Sequence, residues 1–168
     1  MSVVAAKVYK DKITMCADSI MVRGASKRNT NFSKIAKIND MIVGGVGYCE
    51  DISMMWHYMQ THKPASPTEK DVLTFFIEFT EWKNKMGLGA ELNSEFLLIY
   101  KEHLFKTNGL FVHEIMDFVA IGAGEDFATA ALHLGHSPKE AVEVACKLSC
   151  YVCEPVVEYQ EEIKENKS

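Results

Sequence analysis

Proline is scarce, with four in 168 residues, and no apolar run approaches the length of a membrane span. Lysine and arginine are outnumbered by acids, giving a formal net charge of -5 with no basic block, which removes support for a nucleic-acid partner. The N-terminus Met1-Ser2-Val3-Val4 lacks the charged-then-apolar pattern of a secretory signal. The five cysteines are odd in number and do not have the spacing of a small disulfide scaffold, so they are read as reduced and the chain as cytoplasmic. No linker or internal repeat divides it. Residues 1–168 are therefore expected to form one domain, with a polar, frayed tail over 161–168.

What is present is a regular alternation of strands and helices. Val3 to Tyr9 and Lys12 to Ala17 read as a hairpin turning at Lys10-Asp11. A polar loop is expected from Arg23 to Asn31, then a second apolar pair, Lys34 to Ile38 and Met41 to Val46, around Asn39-Asp40. Glu50 to Gln60 carries Ile52, Met55 and Met59 at helical spacing. A second helix is expected to open at Ser66-Pro67-Thr68-Glu69, to bury Val72, Phe75, Phe76, Phe79 and Trp82, and to stop at Gly87. Strands return at Phe96 to Tyr100, Leu104 to Lys106, Leu110 to Val112 and Phe118 to Ile121. Helices follow from Glu125 to Leu134 and from the capping box Ser137-Pro138-Lys139-Glu140. Hairpins with helices in consecutive pairs imply layered antiparallel sheets covered on their outer faces.

Closing the first hairpin places Ser2 opposite Ser19, beside Asp18. Lys34 leads the next strand, so a hydroxyl, a carboxylate and an ammonium converge. If Met1 is removed, Ser2 carries a hydroxyl and a free α-amine with a reference pKa near ~8. That amine can accept the hydroxyl proton and return it to a leaving group. Lys34 would favour the neutral amine, Asp18 would hold Lys34, and a backbone N–H of Gly44-Gly45-Val46-Gly47 could receive an oxyanion. On spacing alone, a chain end, a strand end and a surface charge explain the same three residues.

The same positions resemble the β-type subunits of proteasomes and, in length, HslV, over nearly the whole chain. Ser2 and Asp18 have the separation between the family's terminal threonine and its acid, within Cys16-Ala17-Asp18-Ser19. Lys34, in Ser33-Lys34-Ile35-Ala36-Lys37-Ile38, stands where the family lysine does. Gly44-Gly45-Val46-Gly47 is similar to the turn supplying the oxyanion amide, with Gly45 the best match, and Ala120-Ile121-Gly122-Ala123-Gly124 resembles the Ile-Gly-Ser-Gly element. The resemblance implies an α+β, four-layer αββα sandwich of the N-terminal-nucleophile (Ntn) hydrolase type. It also implies self-association into rings, hydrolysis of unfolded polypeptide, an ATP-dependent unfoldase as partner, and no cofactor or metal. Met21, Phe32, Ala36 and Val43 match positions that line the family's first specificity pocket.

The departures are specific. Serine replaces threonine at the nucleophile, Ala123 replaces an accessory serine, and Tyr151 stands where an accessory aspartate is expected. They leave room for a catalytically silent ring or scaffold subunit, and for an amidase of small acyl-amides using the same nucleophile. Cys146, Cys150 and Cys153, spaced i, i+4, i+7, are read as one packing face of the last helix rather than a metal or redox site. His133 and His136 are read as capping or surface residues. Met54, Met55 and Met59 with Trp56 are read as core or subunit interface. Neither glycine run supplies a dinucleotide fingerprint.

Overall fold

The computed structural model describes residues 2–23, 26–29 and 33–164. In chain order, strands β1 (Val4–Val8), β2 (Lys12–Ala17), β3 (Ile20–Arg23), β4 (Ser26–Asn29), β5 (Ile35–Ile38) and β6 (Met41–Val46) precede helices α1 (Cys49–Met59) and α2 (Glu69–Lys85). Strands β7 (Glu95–Tyr100), β8 (His103–Asn108), β9 (Phe111–Ile115) and β10 (Phe118–Ile121) follow. Helices α3 (Glu125–His133) and α4 (Pro138–Leu148) and a last strand, β11 (Val157–Glu162), complete the order.

Among the described residues, one sheet has the strand order β10-β1-β2-β11 and the other β5-β6-β7-β8-β9, all neighbours antiparallel. The period-two rule of a strand separates the layers. On β1, Val4 and Ala6 face the second sheet and join Met15, Ile42, Leu97 and Ile99 in the inter-sheet core. Their neighbours Val3 and Ala5 point the other way, onto Ala128, Leu132, Ala141 and Ala145 of α3 and α4. Small residues dominate that outer interface, so these helices lie close to the sheet. The opposite interface is aromatic: Phe75, Phe76, Phe79 and Tyr58 of α1 and α2 cover Met41, Val43, Phe96 and Phe105. Truncating one of these buried phenylalanines to alanine would cost about 3–5 kcal/mol. The layers run α, β, β, α, as expected.

The departures from expectation have local causes. Residues 23–31 were expected as a polar loop, yet Ile20–Arg23 and Ser26–Asn29 pair as a hairpin, with Met21 opposite Arg28. Helix α2 begins later than Ser66. Its cap is Thr68, whose hydroxyl accepts from Asp71 N–H at 3.3 Å, while Ser66 instead donates to the Asp71 carboxylate at 2.6 Å. Ser137 and Glu140 do form a reciprocal capping box on α4. That helix ends at Leu148, with Ser149 extended, so Cys150 and Cys153 lie beyond it and do not continue the face of Cys146. Leu148, the last residue of that helix, is exposed. Strand β11 pairs with the full length of β2, so Glu161 and Glu162 belong to a sheet rather than to a frayed end. No helix among the described residues is long and apolar enough to cross a membrane.

Candidate active site

The first hairpin sets the site. Val4 pairs with Ala17, and Asp18 N–H donates to the Val3 carbonyl at 3.3 Å, which carries the antiparallel register on to Ser2 opposite Ser19. Asp18 is fully buried, and a carboxylate there requires donors. It has four. Oδ1 accepts from Lys34 Nζ at 2.6 Å and from Val3 N–H at 2.8 Å; Oδ2 accepts from Ile20 N–H at 3.2 Å and Cys153 N–H at 3.4 Å. The acid thus ties the residue after Ser2 to the start of the second sheet. Lys34 is only 5% exposed. Burial pulls its pKa below the ordinary lysine value, against the opposing attraction of Asp18.

Ser2 is 7% exposed, and its carbonyl accepts from Gly124 N–H at 3.2 Å. The turn after β10 wraps this end of β1 closely. A side chain on Gly122 would begin 2.5 Å from the Ser2 carbonyl oxygen and 3.1 Å from Val46, and Gly122 has φ +97, where L side chains rarely sit. Gly122 is thereby explained by close approach to Ser2, and Gly124 by tight packing, since a side chain there would begin 3.0 Å from Val3 and 3.2 Å from Val152. Ala123 between them is exposed, and Tyr151 is half-exposed.

Other expected positions fall elsewhere. Gly45 N–H donates to the Lys34 carbonyl at 3.0 Å, so this amide is held by the ladder and is closed to a substrate oxygen. Amides alternate along a strand, so Gly47 N–H projects from the same edge of β6 as Gly45 N–H. Gly47 lies beyond the last paired residue of β5, and no acceptor among the described residues takes that N–H. Val43 is fully enclosed under α1 and α2 and offers no surface to a ligand. Ala36, its cross-strand partner, packs against the same core. Met21 is half-buried on β3, and Phe32 lies outside the described residues. Four backbone donors to this centre have no counterpart among the residues read from the sequence: Val3 N–H, Ile20 N–H, Cys153 N–H and Gly124 N–H. Backbone amides leave no residue-type signal, although the Gly122 and Gly124 pair marks the place of the last.

The four-layer sandwich is the Ntn-hydrolase fold. No family model and no curated protein matches the chain. Among solved structures, Thiobacillus denitrificans BPH in complex with epoxomicin is similar with TM-score 0.89 and 16% identity, covering 96% of this chain and 99% of that one. BPH alone gives 0.89 and 16%, covering 98% and 100%. Eukaryotic HslV from Trypanosoma brucei gives 0.74 and 19%, covering 96% and 99%. The chain has the fold of HslV over nearly its whole length.

Proposed function

We propose that the protein is an Ntn-type peptidase acting on unfolded polypeptide, with Ser2 as nucleophile once Met1 is removed. The observation that carries this reading is the placement of one buried carboxylate. Asp18 holds Lys34 Nζ at 2.6 Å and the amide next to Ser2 at 2.8 Å, so nucleophile and ammonium share one rigid support.

The chemistry follows from those groups. The α-amine of Ser2 takes the hydroxyl proton as the oxygen attacks a peptide carbonyl, forming a tetrahedral oxyanion. Collapse expels the amine half of the substrate, which receives that proton, and leaves an acyl ester on Ser2. Water, deprotonated by the same α-amine, releases the ester. Lys34 favours the neutral amine and the developing negative charge. Asp18 positions Lys34. The oxyanion falls to Gly47 N–H rather than Gly45 N–H, because the latter is held by the Lys34 carbonyl; one such donor is worth about 3–4 kcal/mol. Self-association into a ring, feeding by an ATP-dependent unfoldase and a cytoplasmic setting belong to this reading through the likeness to HslV. As one domain spanning 1–168, the chain would need no cofactor.

A second reading is a silent ring or scaffold subunit, favoured by Ala123, which brings no hydroxyl, and by the half-exposed Tyr151 in place of an acid. Turnover separates the two. Protein freed of Met1 should degrade casein or cleave a fluorogenic peptide, and Ser2→Ala should abolish the activity. An assembled, Met1-free protein that leaves both substrates intact would favour the silent subunit.

A further inference from the structure

The two edges of the first sheet are built differently. Strand β11, at one edge, carries Glu158, Glu161 and Glu162, the kind of charge with which natural edges discourage further pairing. Strand β10, at the other edge, is Phe118-Val119-Ala120-Ile121 and carries none. Its hydrogen bonds follow from the register. Val8 N–H donates to the Asp117 carbonyl at 2.7 Å, and Lys7 stands opposite Phe118. Alternation along an antiparallel pair then turns the backbone groups of Val119 and Ile121 toward β1, and those of Phe118 and Ala120 away from it. Ala120 is only 5% exposed, and no strand among the described residues lies beyond β10. Amides and carbonyls so placed require partners.

Phe118 and Ala120 line a cavity of about 600 Å³, together with Lys106 of β8 and Glu125, Asp126, Thr129 and Ala130 of α3. A chain that satisfies alternating amides and carbonyls is itself extended. The charges favour a cationic one, since Lys106 is shared with Glu95 at 3.7 Å and the two α3 carboxylates outweigh it. We propose that the outer edge of β10 takes up an extended, lysine- or arginine-bearing stretch of polypeptide as a fifth strand of this sheet. Neighbouring strands lie about 4.8 Å apart, so the added strand would run about 10 Å from β1. The turn that ends β10 is the one that wraps Ser2. As a second hold on a substrate the site rests on the peptidase reading; as a polypeptide site it stands on the edge itself.

The test is binding to full-length Ser2→Ala protein, so that turnover plays no part, read by fluorescence anisotropy of a labelled eight-residue peptide of alternating valine and lysine. Saturable binding is expected. Methylating the amide nitrogens of one alternate set of residues should weaken it about 10-fold through lost edge hydrogen bonds, and methylating the other set should leave it nearly unchanged. Glutamate in place of lysine should weaken it as well. Thr129→Arg, an exposed change that fills the cavity, should abolish binding with the fold kept by circular dichroism. Ala120→Pro, which removes an outward amide, should weaken binding about 10-fold; should that variant not fold, Thr129→Arg decides. No saturable binding at millimolar protein, binding indifferent to amide methylation, or binding that survives Thr129→Arg overturns the proposal. So does an oligomer that excludes the peptide and dissociates on Thr129→Arg, which gives the edge to a second copy. Each of these failures leaves the peptidase reading in place, because turnover by Met1-free wild type is measured separately.

Discussion

Among the described residues, two buried aspartate–lysine pairs occupy this fold, and they do different things. Asp51–Lys83 bridges two helices, with both carboxylate oxygens and the ammonium spread over side chains and backbone of the 91–94 segment. Asp18–Lys34 bridges two sheets, and among the described residues its ammonium meets a single acceptor, the acid itself. In the first pair the ammonium is shared with a backbone carbonyl; in the second the acid that holds it also holds the Val3 amide next to Ser2. A buried ion pair is weak evidence for stability, because desolvation offsets attraction. The environment of each pair therefore says more than its distance.

The largest expected effect comes from breaking the inter-sheet pair. Asp18→Ala strands the Lys34 ammonium and frees four donors at once, so urea unfolding should show a loss of about 4–5 kcal/mol. Lys83→Met leaves Asp51 its Ser94 and Asn93 donors, and the same measurement should show a smaller loss, about 3 kcal/mol. Equal losses would remove the distinction drawn here.

A third effect is a pH slope. The folded pKa of Lys34 lies below its unfolded value of 10.5, so between the two the unfolded chain binds more protons. Stability should rise with pH across that alkaline window, relative to Lys34→Met, and be level above 10.5. A flat difference would mean that Asp18 fully offsets burial. The smallest effect concerns a thiol beside the pair. Burial first, then the Asp18 charge, pushes Cys146 up to about 12. Iodoacetamide at mildly alkaline pH should therefore label the exposed Cys49 and Cys150 before Cys146 in peptide maps.

Much of the framework was legible because it rests on short-range pattern. Strands β2, β6 and β10 have the expected bounds, and the Lys10-Asp11 turn brings Ser2 and Asp18 together by counting alone. Strand β11 was not legible: Val157, Glu158, Tyr159, Gln160, Glu161 and Glu162 carry only two apolar residues, half-buried, and make sense as a strand once β2 is beside them. The hairpin of β3 and β4 was hidden by polar composition. The choice between Gly45 and Gly47 depends on where the pairing beside β6 stops, since the Lys34 carbonyl takes Gly45 N–H, a matter of register that residue identity does not encode. Val43 matched a pocket position, but strand parity turns it under the helices. The Asp51–Lys83 contact joins residues 32 positions apart on separate helices, with no local signature.

The central claim is that Ser2 becomes a terminal nucleophile. BPH is found in complex with epoxomicin, and an epoxyketone offers a ketone carbon to a hydroxyl and an epoxide carbon to the neighbouring amine. Intact-mass and peptide-map analysis of this protein after epoxomicin treatment is the direct measurement. The account predicts a chain lacking Met1 with one adduct at Ser2, absent in Ser2→Ala; a chain retaining Met1 in essentially all molecules, or a Met1-free chain that takes up no adduct, would contradict it.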